Sequence, residues 1–139
     1  MASSCQDCKY HTLMKKKFSK HWKSSKQPRK QRKYRAKAPL HLRHKMMAAH
    51  LSKELRTKYK KRSFPIRKGD KVKVMRGIFK GTIGEIENVN LKKYKVFVKG
   101  AEKKKKEGQK MQYPINPSNI KILTLKLDDK KRVKALERK

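Results

Sequence analysis

The chain has 139 residues, 44 Lys and Arg against 10 Asp and Glu, and a formal net charge of +34; its length suits one domain, or a small domain with a long arm. Self-repulsion on that scale opposes a compact free state, so the chain is expected to work against a dense polyanion, nucleic acid above all, and most enzyme classes are disfavoured. No run of about 18 apolar residues could span a bilayer and the N-terminus lacks the apolar stretch of a secretory signal, so an intracellular protein with no membrane partner is expected.

Residues 1–13 (MASSCQDCKYHTL) differ in composition from the rest of the chain, and Met14 opens a basic run, which makes 1–13 a candidate over-extended start. Cys5 and Cys8 with His11, and His21 further on, have the residue types of a zinc knuckle. A structural zinc site also needs four placed ligands and a fold around them, which this short segment does not offer, so no metal is expected. Two cysteines outside the foldable region make no disulfide framework and fit a reducing compartment.

Residues 14–64 read as a basic extension. From Lys15 to Lys37 there are twelve Lys and Arg and no acid, punctuated by Ser24, Ser25 and Pro28. Such a composition cannot collapse on itself and reads as an arm. Lys23, Lys26, Arg29, Lys30, Arg32, Lys33 and Arg35 are candidate phosphate ligands. The interleaved Phe18, Trp22 and Tyr34 offer flat faces to unstacked bases, with Trp22 and Tyr34 the candidate stackers. A solvated tail is the competing reading. Leu40 to Met47 could form a short helix or an irregular turn carrying Arg43, another candidate cation. Ser52 followed by Leu55 and Tyr59, with Leu51 before it, predicts a helix over about 52–60. It is too short to stand alone in water and must dock on the folded region or on RNA.

Of 27 Leu, Ile, Val and Phe residues, twenty lie beyond residue 65, so residues 65–124 are where a core is expected. The turn Lys68-Gly69-Asp70 launches a strand at 71–75, Arg76 to Gly81 forms a loop, and Thr82 to Asn88 makes a second strand with a bulge expected at Gly84. Tyr94, Val96 and Val98 mark a third, Met111, Tyr113 and Ile115 a fourth, and Ile120 with Ile122 a fifth. Five short strands fit a mainly β fold, a small partly open barrel with Val72, Val74, Ile83, Ile86, Val96 and Val98 as its core. Gly100 to Gly108 reads as a basic hairpin tip, and the prolines of the 114–119 turn exclude a central strand. Residues 125–139 form a basic tail, where Asp128 and Asp129 cap a short helix holding Val133 and Leu136. All five histidines lie before residue 51. The foldable region therefore has no His or Cys to act as general base or thiol nucleophile, and no enzyme is expected.

The segment from Gly69 to Glu87, GDKVKVMRGIFKGTIGEIE, resembles the KOW motif, a short RNA- and protein-binding module that also occurs in transcription elongation factors of the NusG family. Further blocks narrow the resemblance: SKQPRKQRKY at 25–34, APLHLR at 38–43, LSKELR at 51–56, PIRKGD at 65–70 and YPINPSNI at 113–120. Together they resemble the universal KOW-containing protein family of the large ribosomal subunit, twenty-four in the universal scheme and twenty-six in eukaryotes, in its archaeal and eukaryotic form.

That resemblance implies a five-stranded Src-homology-3-like barrel with basic extensions, lodged in large-subunit rRNA near the exit of the polypeptide tunnel. It implies a part in early subunit assembly, neighbouring large-subunit proteins as partners along with factors docking at the tunnel exit, and residence in cytoplasmic ribosomes. No catalysis, no cofactor and no homo-oligomer are implied. Carried onto this chain, Arg76 and Lys80 would meet phosphates, with Lys68 nearby in the chain, while Gly77 and Gly81 would allow close backbone approach or positive φ. Phe79 could pack under the loop or stack on a base. A KOW-type transcription elongation factor and a histone-like nucleic-acid compactor are the alternatives.

Overall fold

A computed structural model describes residues 18–19, 25–105 and 108–138 of the chain. The chain divides into two compact units, residues 1–39 and 40–139.

In the first unit the described element is helix α1, Pro28–Lys37. The sequence reads here as a basic arm, with short helices expected only further along the extension, and a ten-residue helix is found. Its residues explain this: apart from the proline they are Arg, Lys, Gln, Ala and one Tyr, mostly good helix formers, and Pro28 sits at the first turn, where its fixed φ suits the helix. No side chain caps the N-terminus, although Gln31 Nε2 donates to the Ser25 carbonyl at 2.8 Å across the entry. Arg35 and Lys37 lie in the last turn, where the macrodipole favours cations. The rings of Phe18 and Tyr34 pack with centroids 4.7 Å apart.

The second unit runs α2 (Leu40–Met46), β1 (Ala48–Leu51), α3 (Lys53–Tyr59), β2 (Ser63–Pro65), β3 (Lys71–Val74), β4 (Ile83–Asn90), β5 (Lys95–Val98), β6 (Glu102–Lys104), β7 (Lys110–Gln112), a 3-10 turn at Pro117–Asn119, β8 (Ile120–Thr124) and α4 (Lys130–Glu137). Helix α3 forms as its pattern predicts, with the Ser52 hydroxyl accepting from Leu55 N at 3.3 Å. Six strands make one sheet in the order β2-β1-β8-β3-β4-β5, and β6 pairs with β7 alone. All neighbours are antiparallel except β1 and β8, which run parallel with His50 opposite Lys121 and Leu51 opposite Ile122.

This corrects the expected five-stranded barrel architecture. The molecule is mixed α/β, and its six-stranded sheet does not close by ladder pairing among the described residues, leaving β2 and β5 as its edges. β1 and β2 carry too few large apolar residues to announce themselves: AAHL and SFP. They become strands because β8 offers a template and because Ala49, Leu51 and Phe64 enter the common core. The expected fourth strand is broken. Pro114 interrupts it, so Lys110–Gln112 joins the β6 hairpin while Ile115 makes one isolated bridge to Val96.

Val72, Val74, Ile86, Val96 and Val98 are buried as expected, together with Met47, Leu51, Ile120, Ile122 and Leu136. Ile83 is not: it is 55% exposed. The parity slip expected at Gly84 occurs further along the strand, where the β4–β5 register shifts between Ile86 and Asn88. Ile86 and Val89 thereby reach the same core. Gly84 pairs in regular register with Val72 and serves another purpose. A Cβ there would lie 2.1 Å from the Lys99 carbonyl oxygen, so its lack of a side chain lets the end of β5 cross close to β4.

Asp70 and Arg132 fasten α4 to the sheet. Arg132 Nη1 donates to Asp70 Oδ1 at 2.8 Å and Nη2 to Oδ2 at 2.7 Å, with both side chains buried. Asp70 also accepts from the backbone N–H of Arg67 and Lys126, at 2.9 and 3.0 Å, and Arg132 donates to the carbonyls of Lys126 and Pro65. Fork-to-fork geometry with nearly every lone pair and proton used is what lets a charged pair survive burial.

Candidate nucleic-acid interface

The loop between β3 and β4 is short and braced from within. Gly81 N donates to Val74 O at 2.8 Å, Val74 N to Thr82 O at 2.9 Å, Lys80 N to Gly77 O at 3.0 Å, and Met75 N reaches across to Asn119 O at 2.7 Å. Gly77 and Gly81 have φ of +96° and +91°, and a Cβ at either would meet nothing within 4 Å. The glycines are there for backbone conformation, and the space around them is open. Arg76 and Lys80 stand exposed on this loop, and neither enters an ion pair among the described residues.

Phe79 packs against Tyr113, with ring centroids 5.2 Å apart and planes at 52°, and lies partly buried against the core. A pocket of about 220 Å³ opens beside this pair, floored by Val74 and Ile115 and rimmed by Arg76, Lys95, Asn116 and Asn119. Sequence reasoning misses Lys95, Tyr113, Asn116 and Asn119 as site residues. The polar turn at 114–119 is the available signal, but only the fold carries it to the loop.

Among the other candidates, Lys26, Arg29, Lys30, Arg32, Lys33 and Arg35 are exposed on or beside α1, and Tyr34 is half-buried against Phe18. Arg43 is half-buried on α2, and Lys68 is exposed in the turn before β3. Trp22, Lys23, Cys5, Cys8, His11 and His21 lie outside the described residues. No cluster of three or more metal-ligating side chains occurs among the described residues.

Several of the few acids are engaged locally. Besides Asp70, Asp128 pairs with Lys126 at 3.3 Å and Asp129 with Arg67 at 2.6 Å, while Glu87 accepts from Gln112. Asp129 also caps α4, accepting from Lys131 N at 2.8 Å. The Arg67 guanidinium, and then the Lys131 N–H, hold its carboxyl below the usual value. Arg76 and Lys80 of the loop enter none of these pairs, and exposed cations of this kind are what phosphates bind.

Residues 25–139 match the family described as ribosomal proteins L26 in eukaryotes and their L24-type archaeal counterparts. The chain belongs to this family. It is 52% identical over 115 residues to large ribosomal subunit protein uL24 of Methanosphaera stadtmanae, an alignment covering 83% of this chain and 98% of that relative. The family match takes in both the cationic helix and the glycine-bracketed loop. Among the described residues no helix is long and apolar enough to cross a membrane.

Proposed function

We propose that the protein is a structural constituent of the large ribosomal subunit and acts by binding large-subunit rRNA, without catalysis. The single observation that carries this reading is the family match over residues 25–139. The exposed cations of α1 and of the Arg76–Gly81 loop supply the means. Lys26, Arg29, Lys30, Arg32, Lys33, Arg35, Arg43, Lys68, Arg76 and Lys80 hold phosphates, and Gly77 and Gly81 let backbone come close to RNA. Recognition is of RNA shape, through phosphate and 2′-hydroxyl contacts, rather than readout of a duplex sequence.

The same reading extends to early subunit assembly, to neighbouring large-subunit proteins as partners, and to a cytoplasmic position near the tunnel exit, where docking factors gather. Like charges three and four residues apart on α1, such as Arg29 with Arg32 and Lys33, repel. RNA phosphates would remove that repulsion, so the helix and its ligand stabilise each other.

Sedimentation of cell lysate through a sucrose gradient in low-magnesium buffer tests the proposal. Co-migration with the large subunit through a moderate salt wash is the expected result. Migration with RNA polymerase or with chromatin would overturn it in favour of an elongation factor or a compactor.

A further inference from the structure

The pocket beside Phe79 and Tyr113 is small, at about 220 Å³, below the ~300–1,000 Å³ of sites that take drug-sized ligands. It suits one planar ring. Its apolar floor, Val74 and Ile115, belongs to the rigid core, while Arg76 and Lys95 place positive charge at its mouth.

The polar side of the rim has a defined sense. Lys95 Nζ donates to Asn116 Oδ1 at 2.9 Å. An ammonium can only donate, so that amide oxygen is the acceptor and the Asn116 amide N–H groups are turned to the other side. They have no partner among the described hydrogen bonds. A rim that offers N–H donors selects a ligand edge rich in acceptors, and adjacent cations select a ligand attached to phosphate.

We propose that this pocket receives a single unpaired nucleobase of the bound RNA, set against the Phe79–Tyr113 pair with a carbonyl-bearing edge toward Asn116 and its flanking phosphates toward Arg76 and Lys95. This deepens the RNA-binding reading and rests on it. An aromatic wall, an apolar floor, a hydrogen-bonding edge and nearby cations are what a splayed-out base requires, and a base paired in a duplex could not enter. The loop then does more than gather phosphates: it chooses a place in the RNA where a base is free.

Short-wave ultraviolet irradiation of purified large subunits, followed by mass spectrometry of the peptides, tests the proposal, because zero-length adducts form where a base touches an aromatic ring. A nucleotide adduct on Phe79 or Tyr113 is expected. Asn116→Asp keeps the acceptor for Lys95 but removes the donors, and should lower the yield of the Phe79 and Tyr113 adducts severalfold relative to adducts on α1 in the same subunits. Tyr113→Leu should abolish the adduct at that position. Adducts confined to α1 or to other parts of the chain would overturn the pocket and leave rRNA binding intact. A crosslink from Lys95 to a neighbouring protein without any nucleotide adduct would assign the pocket to a protein side chain instead. Absence of the chain from large subunits would overturn both readings.

Discussion

Asp70 and Arg132 lie 62 residues apart in the chain yet meet through two parallel hydrogen bonds, at 2.8 and 2.7 Å, inside the protein. Asp70 ends the turn before β3 and Arg132 sits in the first turn of α4, so this one pair joins the end of the chain to the middle of the sheet. Leu136, one turn further along α4, is buried in the core beside it.

Removal of either partner leaves a buried charge unanswered. Arg132→Ala or Asp70→Ala is therefore expected to destabilise the protein by about 3–5 kcal/mol, and joint replacement by apolar residues of similar volume by much less. Urea unfolding of the three variants, followed by far-ultraviolet circular dichroism, checks the ordering.

Gly84 and Gly77 predict contrasting outcomes for the same substitution. At Gly84 the new Cβ would face the Lys99 carbonyl at 2.1 Å, and backbone must move, at a cost of order 1–3 kcal/mol or more. At Gly77 there is room, and Gly77→Ala meets only the strain of positive φ, about 1–2 kcal/mol. Thermal melts should show Gly84→Ala as the more damaging, with separation of β4 from β5 visible as faster amide exchange at Lys99, whose N–H donates to Glu85 O.

Arg76→Ala and Lys80→Ala should each weaken binding to a large-subunit rRNA transcript and flatten the dependence of log affinity on log salt by about 0.7–0.9, one phosphate's worth. Arg29→Ala or Arg32→Ala on α1 should do the same. Filter binding across a potassium chloride series gives the slopes; unchanged slopes would make these side chains solvated surface.

The pair Arg67–Asp129 adds a pH dependence of known sign. Asp129 has its native carboxyl lowered from 3.8, first by the Arg67 hydrogen bond and then by the Lys131 N–H. A depressed native value means that its contribution is present above the unfolded value and is lost as pH falls through the native one. Asp129→Asn keeps a good N-cap acceptor but discards the charge. Acid unfolding of the two proteins should thus differ in midpoint, with the wild type losing more stability between neutral pH and pH below 3.8.

Much of this molecule can be read from residue order, for reasons particular residues make plain. Ser52 with Leu55 and Tyr59 announces α3 because a cap and a four-residue apolar spacing are local signals. Val72 and Val74, or Val96 and Val98, announce strands for the same reason. The cations and glycines of the Arg76–Gly81 loop can be picked out directly. What escapes is whatever depends on a distant partner. β1 is a strand because β8 runs beside it, and AAHL alone has no alternation strong enough to say so. The exposure of Ile83 goes with a shift in pairing with β5 at Glu87, and Gly84 is explained only by the approach of Lys99. On α1 the difficulty is of another kind: charge density argues against structure, while the helix-forming tendency of Arg, Lys, Gln and Ala argues for it and prevails. Lys95 and Asn116 join the site through a contact across 21 residues, which no spacing rule anticipates.

The parallel pairing of β1 with β8 sets an order of events during synthesis. Because β8 lies between β1 and β3 in the sheet, the strands at 48–51 and 71–74 have no common neighbour until residues 120–124 have emerged from the ribosome that makes them. The basic residues of α1, by contrast, are made long before β8. Pairings this distant in sequence close late, so the basic stretch at 28–37 is made while the core is still incomplete. Until then the apolar faces of β1 and β3 have no complete core to enter, and the growing chain carries exposed apolar surface together with dense positive charge.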